Sequence, residues 1–237
     1  VMVYEAGGAL ASGASGNEVG LYNPRISALR AAESDYYAAG FSLALRTFSA
    51  LEGIDFNLCG ALHLVNDEKK AKRYAQTVEN WGWSERRMRM VGAVEASRIA
   101  GVTIAHDALY LPDSGCVSPR KLCKAYMRGV DYHVNAPVRD LVDLDADIVV
   151  LACGVAAADF APDLTLSGVR GQVTRVRARA ESSFLKCALG YSGYIAPARD
   201  GVHEVGSTFQ REFENSDIVT ADDVENLEKL EAAVPAF

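Results

Sequence analysis

The hydrophobic and polar positions at the start of the chain predict a strand, a loop and a helix in that order. Residues 1–4 are apolar and end at an acid, Glu5, which is typical of a short buried strand. Residues 6–23 are mostly small or polar and predict a long loop. Between residues 24 and 51, apolar side chains recur near helical spacing and predict a helix with one apolar face.

Strand and helix signals alternate through the middle of the chain. Residues 56–65 predict a strand and residues 68–81 a helix, with Asp67 as its N-cap. Ser118 followed by Pro119 predicts the start of another helix.

Residues 132–141 predict a strand with a bend. The run DIVVLACG at 147–154 is apolar and β-branched, and it predicts a parallel strand buried on both faces.

The second half of the chain has a different pattern. Residues 169–176, 191–196 and 204–209 predict strands that pair antiparallel, and residues 222–234 predict a helix with Thr220 as its N-cap. The chain is therefore predicted to be of the α/β (α+β mixed) class, with any second domain interleaved with the first.

Composition narrows the classes of protein. The chain has 237 residues, a net charge of −7 and five cysteines without a C-x-x-C pair. This charge argues against a generally basic, nucleic-acid-coating surface. The cysteines predict free thiols in a reducing compartment. No apolar run approaches the ~20 residues that a membrane-spanning helix needs, so we expect a cytoplasmic protein without membrane contact.

The loop at residues 11–24, ASGASGNEVGLYNP, is rich in Gly, Ala and Ser and follows the acid Glu5. A carboxylate at a strand end can bind ribose hydroxyls, and small residues let backbone N–H groups approach a pyrophosphate. In the dinucleotide-binding fingerprint, a G-x-G-x-x-G turn comes about 20 residues before the acid. No such turn precedes Glu5, so either the chain starts within a larger fold or Glu5 is an ordinary strand-end acid.

Several motifs occur together in one order: GASGN at 13–17, GLYNP at 20–24, DIVVLACG at 147–154, RGQ at 170–172, SGYIAP at 192–197 and VGSTF at 205–209. With Glu5, they resemble the D-amino-acid oxidase/glycine oxidase family of FAD-dependent amine oxidoreductases. GASGN followed by GLxxP is similar in particular to the oxidoreductase half of the MnmC enzymes, which modify the wobble uridine of certain tRNAs. The resemblance runs about the length of the chain.

This resemblance implies an FAD-binding, Rossmann-like parallel sheet interleaved with a substrate domain built on an antiparallel sheet. We assign residues 1–52 and 110–168 to the FAD-binding part. Residues 53–109 and 169–219 go to the substrate domain, and residues 220–237 form a terminal helix.

The implied reaction removes the carboxymethyl group from 5-carboxymethylaminomethyl-(2-thio)uridine in tRNA, by hydride transfer to flavin and hydrolysis of the imine. FAD is the implied cofactor, modified tRNA the substrate, and a methyltransferase domain or partner is implied beside this chain. Because the flavin carries the chemistry, none of the histidines at 63, 106, 133 and 203 is expected to be catalytic.

The resemblance also implies which residues bind FAD. They are Glu5 at the adenosine ribose; Ser12, Ala14, Ser15, Gly16 and Asn17 along the pyrophosphate and ribityl chain; Gly20 and Leu21 near the isoalloxazine; Val138 at the adenine; Ala152, Cys153 and Gly154 at the phosphates; and Gly171 and Gln172 near the flavin ring. Related glycine oxidases bind the substrate carboxylate with an arginine in a Y-I-x-P-R context. Here Arg199 stands one position late, so Tyr194 and Arg211 are alternatives.

Two features of the family are missing from the sequence, namely the first glycine turn and the C-terminal glycine-rich segment. We therefore expect the chain to be part of a longer product. Two rival functions stay open: a small-molecule glycine or amino-acid oxidase, and a non-catalytic remnant of a flavoprotein. Only Arg86, Arg87, Arg89 and the basic residues at 69–73 form clusters for tRNA phosphates. For the arginine cluster, a solvated surface is favoured over an RNA contact.

Overall fold

The computed structural model describes residues 1–213, 215–235 and 237, and this part of the chain forms eleven strands and five α-helices. In chain order they are β1 (Met2–Tyr4), β2 (Gly20–Tyr22), α1 (Ala32–Ser49), β3 (Ala61–Leu64), α2 (Glu68–Trp81), β4 (Arg89–Val91), α3 (Ala93–Ala100), β5 (Ala108–Leu111), β6 (Gly115–Val117), α4 (Pro119–Tyr126), β7 (Asp131–His133), β8 (Val173–Arg177), β9 (Ala188–Gly190), β10 (Tyr194–Ile195), β11 (Val202–Gly206) and α5 (Thr220–Ala233).

Seven strands form one sheet in the order β4-β5-β3-β9-β10-β11-β8. The strands from the second half of the chain pair antiparallel, as their pattern predicts. Within the part of this sheet that the structure describes, only β3 and β9 pair in parallel, and this contact joins the strands of the second half to those of the first half. Helices α3 and α5 cover one face, where Leu62, Leu189, Ile195 and Val205 are fully or almost fully buried. This is the largest core of the protein.

A two-stranded antiparallel ribbon, β2 with β6, lies on the opposite face of the sheet. The sheet contributes small residues to this contact, Ala61, Ala188 and Ala196. Val19, Leu21 and Cys116 pack against them from the side of the ribbon. Tyr22 points away from the sheet and stacks on Phe41 of α1, with ring centroids 4.6 Å apart. The ribbon is thus held between the sheet and α1.

Strand β1 pairs in parallel with β7 in a separate two-stranded sheet. The predicted strand at the start of the chain is confirmed, but its burial is not, because Met2 and Tyr4 are 45% and 47% exposed. β7 is shorter than the predicted strand at 132–141.

The predicted buried strand at 147–154 is wrong. These residues form no strand, and Ile148 and Val150 are each 81% exposed. An apolar run becomes a buried strand only where neighbouring strands supply hydrogen bonds and cover. Within the described residues, β7 is the only strand that pairs with β1, so no sheet is present to bury the run.

Local signals placed the starts of α2 and α4 correctly and misplaced two other helix starts. Asp67 caps α2 by accepting a hydrogen bond from the Lys70 N–H at 2.7 Å, as predicted. Helix α1 starts at Ala32 rather than near residue 24, because the Ser27 carbonyl accepts a hydrogen bond from Trp81 Nε1 at 2.8 Å and is held outside the helix. Thr220 is the first residue of α5 rather than its cap.

The domain boundaries stay a prediction, although the one placed between residues 109 and 110 falls inside β5. None of the helices among the described residues is long and apolar enough to cross a membrane. The same residues bring no three His, Cys, Asp or Glu side chains together in a way that suits a metal ion.

Candidate active site

The face of the seven-stranded sheet that carries β2 and β6 is the candidate site, and we call it the site face. Backbone pairing aligns His63, Gly190, Tyr194 and Gly206 in one row across four strands. Residues that pair in register project to the same face. In this row, His63 and Tyr194 therefore stand on opposite sides of Gly190, which has no side chain.

His63 is held by a chain of two hydrogen bonds. Ser114 Oγ donates to Asn23 Oδ1 at 3.0 Å, and the Asn23 amide nitrogen lies 2.9 Å from His63 Nε2. Burial, together with the positive charges of Arg73 and Lys70, lowers the pKa of His63 to about 4. The ring is therefore neutral at pH 7. These contacts could not be predicted from the sequence, because Asn23 lies 40 residues from His63 and Ser114 lies 91 residues from Asn23.

Tyr194 was predicted as a catalytic candidate, and the structure places it in the centre of the row. Burial raises the pKa of its hydroxyl, with the negative charge of Glu204 acting in the same direction. The phenol is thus held in its protonated, hydrogen-bond-donating form. Its neighbours in register are two glycines, Gly190 and Gly206.

Glu204 connects the sheet to the loop in front of β2. Its carboxylate is buried and accepts a hydrogen bond from the Val19 N–H at 3.1 Å. Burial raises the pKa of this carboxyl, while the Val19 N–H and Arg175 oppose the rise. The contact fixes the backbone just before Gly20 and Leu21, two of the residues predicted near the isoalloxazine.

The loop predicted for the pyrophosphate is compact and tied to α4. Residues Ala14–Gly16 form a short 3-10 turn, and the Gly16 N–H donates to the Gly13 carbonyl at 2.8 Å. Arg120 donates to the Gly16 carbonyl from two nitrogens, at 3.0 and 2.6 Å, and forms a 3.2 Å ion pair with Glu18. The turn brings together the predicted residues Ser12, Ala14, Ser15, Gly16 and Asn17. No sequence motif pointed to Arg120 as a partner of this loop.

Glu5 stands at the end of β1 and organises the same loop. One of its carboxylate oxygens accepts the Gly7 N–H at 2.8 Å. Its carbonyl accepts the Ala136 N–H at 3.0 Å, which brings the segment carrying Val138 to this strand end. A Cβ at Gly7 would lie 2.1 Å from Ser12 Oγ, so a larger residue there would push the Ser12 side chain out of its present position.

The other predicted phosphate-binding residues are placed differently. Ala152, Cys153 and Gly154 lie on the exposed run that forms no strand. No hydrogen bond among the described residues links them to the loop at residues 11–17. Their predicted position at the phosphates therefore has no support in this arrangement.

Gly171 and Gln172 lie where α5 meets the sheet edge. The Gln172 amide donates to the Val219 carbonyl at 3.0 Å and to Asp223 at 2.9 Å. Its side-chain oxygen accepts from Arg170 at 3.0 Å. The side chain predicted to face the flavin ring is buried and fully engaged with protein groups, so it fastens α5 instead.

Two predicted carboxylate-binding arginines lie away from the row. Arg199 forms an ion pair with Asp55, which is also paired with Lys121 at 2.6 Å. Burial favours the protonated carboxyl, but the two cations outweigh it and hold the pKa of Asp55 below its ordinary value. Arg211 is exposed on a bend after β11. Arg199, which stands one position late in its motif, is thus paired with Asp55.

Two of the arginines that could supply contacts to tRNA phosphates are paired within the protein. Arg87 lies 3.3 Å from Asp113 and stacks over Trp83, and Arg89 lies 2.9 Å from Glu95. Arg86 is exposed. Most of this cluster is therefore used internally.

The whole chain, residues 1–237, matches the family described as "DAO: FAD dependent oxidoreductase". The chain belongs to this family. Members are FAD-dependent oxidoreductases, and FAD is the family's cofactor.

Among curated relatives, the chain is 32% identical to the "tRNA 5-methylaminomethyl-2-thiouridine biosynthesis bifunctional protein MnmC" of Pseudomonas fluorescens, over 98% of this chain and 38% of that protein. It is 29% identical to the MnmC protein of Shewanella pealeana, over 94% of this chain and 39% of that protein. The chain thus spans well under half the length of these relatives.

Solved structures support the fold. Glycine oxidase from Geobacillus kaustophilus gives a TM-score of 0.78 at 22% identity, covering 99% of this chain and 71% of that one. Glycine oxidase from Bacillus cereus gives 0.75 at 20% identity, covering 100% and 73%. The mixed parallel and antiparallel architecture is therefore that of the DAO family.

The described residues fit FAD at two places. The loop at residues 11–17 leaves open space at Gly13, where a Cβ would meet no atom within 4 Å, and its small side chains leave the backbone accessible. Glu5 presents a carboxylate beside this loop, as a ribose requires. Residues 19–21 lie on the site face, where Glu204 fixes their backbone.

Proposed function

We propose that this chain is the oxidoreductase part of an MnmC-type enzyme and acts on 5-carboxymethylaminomethyl-(2-thio)uridine in tRNA. The observation that carries the proposal is the similarity to MnmC proteins, at 29–32% identity over 92–98% of the chain in the relatives compared. In the proposed reaction, the carbon between amine and carboxylate loses a hydride and the imine adds water. The C–N bond then breaks to give aminomethyluridine and glyoxylate.

FAD supplies the electron-pair acceptor when it is bound. Glu5 and the loop at residues 11–17 would hold its adenosine and pyrophosphate. Glu204 keeps residues 19–21 against the sheet, and Tyr194 offers a protonated hydroxyl to the substrate. These groups bind and orient the reactants, which supports a reaction in which the protein supplies position and electrostatics rather than a nucleophile.

The proposed tRNA substrate would place the reaction in the cytoplasm. The relatives' name contains the word "bifunctional", which is compatible with a second, methyltransferase region. Such a region would act on the product.

A small-molecule amine oxidase is the second candidate. The internal pairing of Arg87 and Arg89 favours it, because phosphate contacts need basic side chains that are free to reach the RNA. The two candidates differ in substrate and share the flavin chemistry.

The proposal is tested by anaerobic reduction of the FAD-loaded protein. We expect the visible flavin absorption to bleach when tRNA carrying the carboxymethylaminomethyl group is added, and glyoxylate to be released. Unmodified tRNA is the matched control and should cause no bleaching.

Bleaching by glycine or sarcosine, with none by the modified tRNA, would overturn the proposal in favour of the small-molecule oxidase. Arg86→Glu separates the two further. It should weaken the reaction with tRNA if the exposed arginine contacts phosphate, and leave a small amine unaffected.

A further inference from the structure

A shallow groove of about 280 Å³ lies between helix α1 and the loop that follows β2. The buried, stacked rings of Tyr22 and Phe41 line it, together with two tyrosines of α1, Tyr36 and Tyr37. Tyr36 is 75% exposed, and its ring meets that of Tyr37 in a T-shaped contact with the centroids 5.8 Å apart. The groove therefore presents aromatic surface to solvent.

Gly40 leaves this groove open in the middle of α1. It lies one helical turn after Tyr36 and Tyr37, on the same face of the helix. A Cβ at residue 40 would meet no atom of the described residues within 4 Å, apart from its chain neighbours and the nearby helix backbone. Packing therefore does not require glycine here, although glycine inside a helix is less stable than alanine. The empty position leaves room for a planar group beside the two tyrosines.

A positive charge borders the groove. The Arg25 guanidinium lies over the ring of Tyr37, 4.9 Å from its centroid, and donates to its hydroxyl at 3.2 Å. The ion pair of Arg25 with Glu33 is long, at 3.8 Å, and both side chains are 72% exposed. Such a pair contributes little, so the guanidinium is able to bind another anion. Exposed aromatic rings beside an arginine are the combination that binds the bases and phosphates of single-stranded nucleic acids.

The groove and the site face share Asn23. This residue lines the groove, and its amide nitrogen lies 2.9 Å from His63 Nε2 on the site face. It directly follows β2, which carries Gly20 and Leu21. A group bound in the groove would therefore be a neighbour of a group that reacts at the site face.

We propose that this groove binds an unpaired nucleotide of the RNA substrate, with its base against Tyr36 and Tyr37 and its phosphate at Arg25. The proposal rests on the proposed function, in which the reacting uridine belongs to tRNA. It gives the chain an RNA contact that does not depend on Arg87 and Arg89, whose charges are paired within the protein. Because every base has a face that can stack, we expect little preference for sequence.

The test measures RNA binding without turnover, as the fluorescence anisotropy of a labelled single-stranded oligouridylate added to the full chain. Tyr36→Ala is expected to weaken binding at least about fivefold, because it removes a stacking ring. Tyr36→Phe keeps the ring and should bind like the wild type. Tyr126→Ala is the matched control, since this tyrosine is also exposed, at 51%, but belongs to α4.

Gly40→Leu fills the groove without endangering the fold, because leucine favours a helix and the position is empty. It should weaken oligouridylate binding severalfold without lowering the temperature of thermal unfolding. Arg25→Gln should weaken binding and reduce its dependence on salt concentration.

Absence of oligouridylate binding by the wild type, or unchanged affinity in both Tyr36→Ala and Gly40→Leu, would overturn the inference. Loss of self-association in Tyr36→Ala with unchanged RNA affinity would also overturn it, and would assign the groove to a second copy of the chain. If oligouridylate binds as described but modified tRNA does not bleach the flavin, the proposed function fails while the nucleotide site stands.

Discussion

Asp222→Asn is expected to destabilise the folded protein by about 3 to 5 kcal/mol, the usual cost of leaving one member of a buried ion pair without its partner. The Arg170 and Asp222 side chains are only 6% and 2% exposed. Arg170 also donates to Gln210 Oε1 at 2.9 Å and to the Asp217 carbonyl. Without the carboxylate, the guanidinium stays buried with its charge uncompensated. Urea denaturation of wild type and variant measures the difference.

Glu225→Gln is the matched control on the same helix. Its partner Lys229 is one turn away, and the Glu225 side chain is 47% exposed. Loss of this surface pair is expected to cost less than about 0.5 kcal/mol. The double variant Arg170→Met, Asp222→Leu should recover most of the loss, because it removes both charges. A cost below about 1 kcal/mol for Asp222→Asn would show that the pair does not secure α5.

The second large effect is a pH dependence of stability that belongs to His63. Its pKa is about 4 in the folded protein against 6.5 for an ordinary histidine. Below pH 6.5 the unfolded chain takes up a proton that the folded chain does not, so stability falls as the pH is lowered towards 4. The shift corresponds to about 3 kcal/mol over this window.

His63→Gln isolates this contribution, because glutamine can still accept from Asn23 and does not titrate. We expect the difference in unfolding free energy between wild type and variant to shrink by about 3 kcal/mol from pH 7 to pH 4. The pKa of Glu204 is raised in the folded protein, so this residue changes stability with pH in the opposite direction. Its contribution is the same in wild type and variant and cancels in the difference between their unfolding free energies. A difference that stays constant with pH would contradict the placement of a neutral, partly buried His63.

Features that depend on neighbouring residues could be predicted from the sequence. The cap at Asp67 needs only the N–H three residues on, and the strands of the second half show alternation with nearby partners. The run at 147–154 is apolar enough for a buried strand, but burial depends on which strands surround it. Its composition alone could not decide that question.

The candidate site depends mostly on contacts between distant residues, which is why its prediction was incomplete. Arg199 looked like a substrate ligand because of its motif, while its partner Asp55 lies 144 residues earlier. His63 lies against Gly190, which is 127 residues later in the chain and pairs with it across β3 and β9. Tyr194 was a candidate because a family motif surrounds it, and its role stays a prediction; the structure adds its two glycine neighbours in register, Gly190 and Gly206.

The most direct test of the central claim, an FAD-dependent site built on Glu5 and the loop at residues 11–17, is the visible absorption spectrum of the protein after incubation with FAD and removal of the excess. We predict retained flavin absorption for the wild type and a clear loss of it in Glu5→Ala, because that variant removes the ribose-binding carboxylate. Absence of flavin absorption from the wild type, or equal retention by Glu5→Ala, would contradict the account.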